Sequence, residues 1–444
     1  MKLTRLKIDK YRRVLPGTEL FFDDGLNVLL GRNGTGKTTL LKLLSMCARS
    51  EFETLAQEEF SFDYDLRSDE LLVHVHVENR KREILPTSAV SMDELQILAR
   101  SADERFEYEV IVELRLKSTR KSYRVRATPS SSQLEEVGNP KSTRVIEALS
   151  PFTKGSISLA ILNLYQPLIS DEPLVAANPA FLDLLMAVLG SRVYRFDESL
   201  AAFRAMEGRL TDEAGSAPPI SLLKLQRGPG AKFTSIPSHF VPRSVPTLVE
   251  ELVNGPEKVT DISLRHDALG FLSRFVDTVG LSSAEMKVSL LKKEVDGQDE
   301  QLIVGDFKFL LYFKDGTVIS HDLLSYGQKR LLSFLYYVDC TPHVVVADEI
   351  VNGLHHEWID ACLDAIGERQ AFLTSQNPLL LDYLSFESAD QAEKCFIVCR
   401  TELHNGREHM RWANITKGEA EAFYRGYLAG IQHVSELLRT EGLW

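Results

Sequence analysis

The chain has 444 residues, 44% of them hydrophobic and 26% charged, which excludes a largely disordered, fibrous or low-complexity protein. At that length it holds about three domain-sized units, or one core enlarged by insertions. With 63 acidic against 51 basic residues the net charge is −12, so the surface as a whole repels polyanions and any nucleic-acid contact must be local.

Leu3 to Ile8 alternates polar with apolar and reads as a strand, Leu20 to Phe22 as a short second one, and Leu26 to Leu30 as a buried apolar strand ending in glycine. Gly31 to Thr38 follows, and Thr39 to Met46 then places Leu40, Leu41, Leu43 and Leu44 at helical spacing. Gly31-Arg-Asn-Gly-Thr-Gly36-Lys37-Thr38 matches G-x-x-x-x-G-K-[ST] in the strand, loop, helix setting that this motif requires. Its glycines let backbone N–H groups wrap phosphates, Lys37 reaches the β and γ phosphates of ATP, and Thr38 is placed to ligate Mg²⁺. Asn33, Gly34, Thr35, Gly36, Lys37, Thr38 and Thr39 are the candidate nucleotide-binding residues.

From Glu58 to Thr128 the period turns to two, which predicts a half-exposed antiparallel sheet. His74 and His76 share one face of a strand there, with no nearby acid or third metal ligand evident, so a solvated strand face is the expectation. Arg115, Lys117, Arg120, Lys121, Arg124 and Arg126 form a basic hairpin that makes DNA or an acidic partner a candidate, beside a plain solvated hairpin. Pro129 to Ser142 is rich in Ser, Pro, Gly and Asn and reads as a linker. Three regions result: 1–128, a mostly helical insertion at 129–304 that includes Ile262 to Val279, and 305–444.

Phe307 to Ser320 reads as a hairpin turning at Asp315-Gly316, Leu323 to Tyr337 as a helix, and His343 to Ala347, Ala371 to Thr374 and Phe396 to Arg400 as buried strands with helices between them. Val344-Val-Val-Ala-Asp348-Glu349 ends a buried strand in two acids, the first suited to hold Mg²⁺ and the second to orient or deprotonate an attacking water. Ser325 and Gly327, with Gln328, open a helix whose positive end suits an anion, although an ordinary N-cap has the same appearance. Five cysteines, Cys47, Cys340, Cys362, Cys395 and Cys399, form no C-x-x-C pair. With no long apolar run and no apolar block behind Met1, the expectation is a cytoplasmic protein with no membrane partner.

Taken in order, Gly31 to Thr38, Leu324-Ser-Tyr-Gly-Gln-Lys-Arg330 and Asp348-Glu349 resemble the ABC-type ATPase heads of the SMC, RecF and OLD families. The G-x-N-G-x-G-K-T form with Asn33 and Gly34, the Glu349-to-His356 stretch and Thr374-Ser-Gln-Asn-Pro378 resemble the corresponding loops of OLD-like ATPases. The closing Gly430-to-Trp444 stretch is similar to stand-alone anti-phage ATPases such as the PARIS sensor and those of Septu and retron operons. The resemblance spans roughly 1–128 and 305–444 and implies an α/β P-loop head with an antiparallel β subdomain. It implies ATP and Mg²⁺ as cofactors, Thr38, Asp348 and Gln166 at the metal, and Glu349 as catalytic base. It further implies nucleotide clasped head to tail between copies, in a dimer or higher oligomer, with Lys37 and Thr38 of one facing Ser325 and Gly327 of the other. Gln376 stands where those families carry a switch histidine; an amide cannot exchange a proton near neutral pH, so slow hydrolysis is expected. The residues after Glu349 are needed to finish the sheet, so no nuclease domain is expected in the chain. The implied role is the regulatory subunit of an anti-phage system acting through a separately encoded effector such as a nuclease. A RecF-like DNA-repair ATPase and a pseudo-ATPase scaffold are the alternatives.

Overall fold

Period-two patterning in the first third of the chain becomes an eight-stranded antiparallel sheet. The computed structural model describes residues 1–50, 52–69, 71–81, 106–117, 122–128, 131–138, 144–147, 195–196, 223–236, 240–255, 261–341 and 343–443. Two compact units divide the chain: Met1–Ser191 with Phe386–Gln432 and Glu436–Trp444, and Arg192–Ser385 with His433–Ser435.

The first unit begins with β1 (Lys2–Tyr11), β2 (Thr18–Phe21), β3 (Leu26–Leu30) and helix α1 (Lys37–Arg49). It continues through β4 (Phe60–Arg67), β5 (Leu71–Lys81), β6 (Phe106–Leu116), β7 (Ser122–Ala127), β8 (Ser131–Glu136) and β9 (Arg144–Glu147). All but β3 form the sheet, in the order β2-β1-β4-β5-β6-β7-β8-β9. Its inner face buries Phe60, Phe62 and Tyr64 of β4, Val73, Val75 and Val77 of β5, and Val110 and Val112 of β6. Phe52, just past α1, packs on the first three rings with centroids 5.7, 5.8 and 6.2 Å away, and the Tyr64 hydroxyl donates to Ser50 Oγ at 2.9 Å, tying the sheet to the end of α1. The outer face is a ladder of charges.

One expectation fails here. Ser131 to Glu136, read as linker, is a strand paired to β7 in the register Tyr123↔Glu136. Arg124 bridges Glu113 (2.7 Å) and Glu135 (2.9 Å), a cross-strand pairing that outweighs the weak strand propensity of serine.

The second unit holds β10 (Arg195–Phe196), β11 (Leu223–Arg227), β12 (Thr234–Ile236), α2 (Ser244–Val253), β13 (Asp261–Arg265), α3 (Gly270–Val279), β14 (Ser283–Asp296), β15 (Asp299–Tyr312) and β16 (Val318–Ser320). Then come α4 (Tyr326–Cys340), β17 (Val344–Ala347), α5 (His356–Ile366), β18 (Gln370–Thr374) and α6 (Leu379–Asp382). Strand β17 lies parallel between β10 and β18, while β12-β11-β15-β14-β13 is an antiparallel sheet with β16 on β15. The mostly helical reading of 129–304 therefore does not hold for its described residues, which are mainly strand. Ile262 to Val279 splits into β13, where Ile262 and Leu264 alternate inward, and α3, which starts only at Gly270. The limit expected after residue 304 falls inside β15. Residues 151–191, including the helical stretch expected at Phe181 to Leu189, lie outside the described residues.

The chain then returns to the first unit through α7 (Ala389–Cys395), β19 (Phe396–His404), β20 (Arg407–Asn414) and α8 (Lys417–Ala429), and ends with α9 (Val434–Thr440). β19 runs parallel to β3, with Ile397 opposite Leu29, and antiparallel to β20. This is an α/β fold with antiparallel sheets.

Candidate functional site

In the first unit, buried strand β3 delivers the chain to a loop whose glycines all have positive φ: Gly31 at 141°, Gly34 at 84° and Gly36 at 87°. A Cβ at Gly31 would strike the carbonyl oxygen of Cys399 on β19, and one at Gly36 would strike Met410 and Trp412 on β20, so at both positions side chains are excluded by packing as well as by dihedral angle. A Cβ at Gly34 would meet nothing within 4 Å; the loop opens outward there. Gly36 caps α1 without any side-chain bond and no acid lies in the first turn, which leaves the helix N–H groups and the positive end of its dipole to an anion. The Lys37 ammonium, only 7% exposed, folds back onto the carbonyls of Gly31 (2.7 Å) and Arg32 (3.2 Å). Thr35 Oγ1 donates to the Arg32 carbonyl (2.8 Å), and Trp412 Nε1 donates to the Thr35 carbonyl (3.1 Å). Asn33 and Thr38 are exposed and Thr39 is half-buried. Trp412 was not anticipated: it lies far away in sequence, and only the pairing of β19 with β3 brings its strand to the loop. Cys399, beside the loop, is buried, which pushes its thiol up to about 12 against the opposing pull of Lys37.

In the second unit β17 is buried throughout and ends in Asp348 and Glu349. Thr374, at the end of β18, accepts from the Glu349 N–H (2.9 Å) and donates to Asp348 Oδ1 (2.6 Å), so one hydroxyl joins both acids. Glu349 holds φ at 51°, a left-handed conformation rare for a residue with a side chain. Its carboxylate accepts from the Gln376 N–H at 2.9 Å, and its carbonyl accepts from Arg330 Nη2. The structure thus brings Asp348, Glu349 and Gln376 together, with Thr374 and Arg330 as members that motif reading did not assign. The available signal for Arg330 was a charge directly before the apolar run Leu331-Leu332.

Ser325 caps α4 in a reciprocal capping box: its Oγ accepts from Gln328 N–H (3.3 Å), and the Gln328 side chain accepts from its N–H (3.0 Å). A Cβ at Gly327 would lie 2.6 Å from the carbonyl oxygen of Gly353, and one at Gly353 2.6 Å from the Tyr326 ring, so the start of α4 sits directly on the loop that follows the two acids. Ser325 and Tyr326 remain exposed. The phosphate loop belongs to the first unit and the acids, Ser325, Gly327 and Gln328 to the second. Gln166 lies outside the described residues.

Two arginines of the basic hairpin are ion-paired. Arg124 pairs with Glu113 and Glu135, Arg126 with Glu109, and Lys117 donates to the carbonyls of Ser68 and Asp69, while Arg120 and Lys121 lie outside the described residues. His74 and His76 face acids of β4: His74 Nδ1 lies 2.6 Å from Asp65 and His76 Nδ1 3.0 Å from Asp63. The Asp65 bond raises the His74 imidazole.

Two families match this chain. The "AAA ATPase domain" matches residues 1–142, and "AAA domain, putative AbiEii toxin, Type IV TA system" matches residues 236–382. Over both stretches the chain is similar to ATPase domains. The first stretch contains Gly31 to Thr38; the second contains Ser325 to Gln328, Asp348, Glu349 and Gln376. A comparison with curated proteins gives no significant match. Among solved structures the chain is similar to the SMC head domain from Thermotoga maritima, at 9% identity and a TM-score of 0.38, covering 94% of this chain and 100% of that one. It is similar also to an Smc head bound to the C-winged helix domain of ScpA, at 11% identity and 0.39, with the same coverage. Scores this low carry no further weight.

Proposed function

We propose that this chain is an ABC-type ATPase of the SMC/RecF-like class that clasps ATP between two copies, turns it over slowly, and serves in anti-phage defence as the sensor controlling a separately encoded effector. The observation that carries the enzymatic part is Glu349, an acid at a buried strand end held in left-handed backbone with its carboxylate fixed by the Gln376 N–H. The uncapped start of α1, the outward opening at Gly34 and the adjacent Lys37 fit a triphosphate. Bound ATP would supply the γ-phosphoryl group; the Thr38 hydroxyl and the Asp348 carboxylate are the oxygen donors that would hold Mg²⁺, which would offset phosphate charge.

Lys37 exchanges its two carbonyl partners for phosphate oxygens, a stronger charge-assisted bond. Glu349 takes the proton of the attacking water and the Gln376 N–H fixes the carboxylate that receives it. An amide at position 376 cannot exchange a proton near neutral pH, and turnover below about 10 per second, the median for enzymes, is expected. The defence role rests on the order of motifs and on the description of the family matching 236–382, which names a toxin of a type IV TA system and so suits a chain acting with a separate partner. The RecF-like alternative loses support because Arg124 and Arg126 are spent on glutamates. Lys37→Ala tests the proposal: ATP binding and protection against phage should both disappear while the circular dichroism spectrum stays unchanged. Protection that survives Lys37→Ala would overturn the sensor role, and undiminished ATP binding would overturn the site.

A further inference from the structure

Among the described residues of the second unit Arg330 is the largest charged side chain that is fully buried, at 0% exposure, and it ends the motif Ser325-Tyr-Gly-Gln-Lys-Arg330 within the first turns of α4. Burying a guanidinium is costly unless its surroundings answer the charge. Here the plane lies over the Phe196 ring, 5.0 Å from its centroid, and Nη2 donates to the carbonyl of Glu349. That carbonyl belongs to an acid whose backbone is left-handed, and the same residue is gripped from the other side by Thr374 Oγ1 and the Gln376 N–H. The Phe196 carbonyl in turn accepts from the Asp348 N–H at 2.8 Å. A path of about one and a half helical turns therefore runs from the Ser325 cap through Arg330 to the main chain of Glu349.

We propose that Arg330 is a positioning residue which transmits the placement of the Ser325 end of α4 to the backbone of Glu349, so that the carboxylate is aimed only when that end of the helix is seated. This deepens the ATPase reading above and rests on it for its effect on turnover. Removing the fork frees Glu349 to relax towards negative φ, which swings the carboxylate away from the Gln376 N–H without touching Lys37. Binding and turnover are thereby separated.

The test uses the full chain with Arg330→Lys, which retains one donor and the charge, and Arg330→Met, which keeps volume but neither. Hydrogen exchange is read on peptides spanning 348–354 and 374–378, with 331–340 as the internal reference. The expected result is exchange faster by about tenfold or more in the two loop peptides, graded Met over Lys, with the reference peptide unchanged. In parallel, kcat should fall by about tenfold or more in Arg330→Met and less in Arg330→Lys, with KM within about threefold of wild type. Uniform loosening of all three peptides assigns Arg330 to packing alone, and no change in the loop peptides removes the link; either overturns the proposal. A wild type without turnover would overturn the ATPase reading, while the exchange result would still decide whether Arg330 holds Glu349.

Discussion

At the scale of single residues, the phosphate loop and the two acids were legible because each motif is contiguous and has a mechanism attached to its spacing. What escaped is what the fold supplies from a distance. Trp412 lies on β20 and reaches Thr35 only because β19 pairs with β3. Thr374 joins Asp348 to Glu349 because β18 runs parallel to β17, a register no local pattern states. Trp412→Phe removes one buried donor from the Thr35 carbonyl and should weaken ATP affinity several-fold, corresponding to about 1 kcal/mol, with little change in kcat; titration with a fluorescent ATP analogue reads it. An affinity equal to wild type would show that the loop holds its shape without that bond. Glu349→Gln should keep ATP affinity and abolish phosphate release, because an amide cannot take up the proton of the attacking water. Residual turnover near that of wild type would assign the base elsewhere.

Among secondary-structure elements, strands with strict alternation and helices with clear caps were readable, as the bounds of β3 and the Ser325 cap of α4 illustrate. The insertion was not, because Ile262 to Val279 offers apolar residues to both periods and only pairing of β13 with β14 decides between them. Gly327 illustrates an element-level constraint: a Cβ there would lie 2.6 Å from the Gly353 carbonyl oxygen, so Gly327→Ala must push α4 off the following loop. A loss of about 1–3 kcal/mol in urea unfolding is expected, and a neutral result would mean that the two segments separate freely.

The outer face of the first sheet carries a pH dependence. Hydrogen bonding to Asp65 raises His74 above its ordinary 6.5. Asp65 is lowered, its burial pulling the other way and being outweighed by His74 and Arg5. The stabilisation from His74 is complete below its unfolded value and is lost as pH rises through the raised folded value; that from Asp65 is present above its unfolded value and lost on acidification. The pair is strongest between those limits. Melting temperature should fall from about pH 5.5 to about pH 8.5 more steeply in wild type than in His74→Asn, a difference that parallel curves would deny.

For the molecule as a whole, a net charge of −12 repels polyanions at long range, and Arg124 and Arg126 of the basic hairpin are paired with glutamates. Self-association was suggested by motif order alone, since half of a sandwiched pocket on each copy leaves no mark on composition or periodicity. Ser325 is exposed, with Leu323 and Tyr326 turned outward beside it, and in the proposed clasp this flank is the one that faces the second copy. Sedimentation velocity of the Glu349→Gln variant, with and without ATP and Mg²⁺, measures it most directly. A shift to at least twice the mass of a single copy on adding nucleotide, abolished by Lys37→Ala in the same background, is the predicted outcome; identical boundaries in both conditions, with nucleotide bound, would contradict the clasp between two copies.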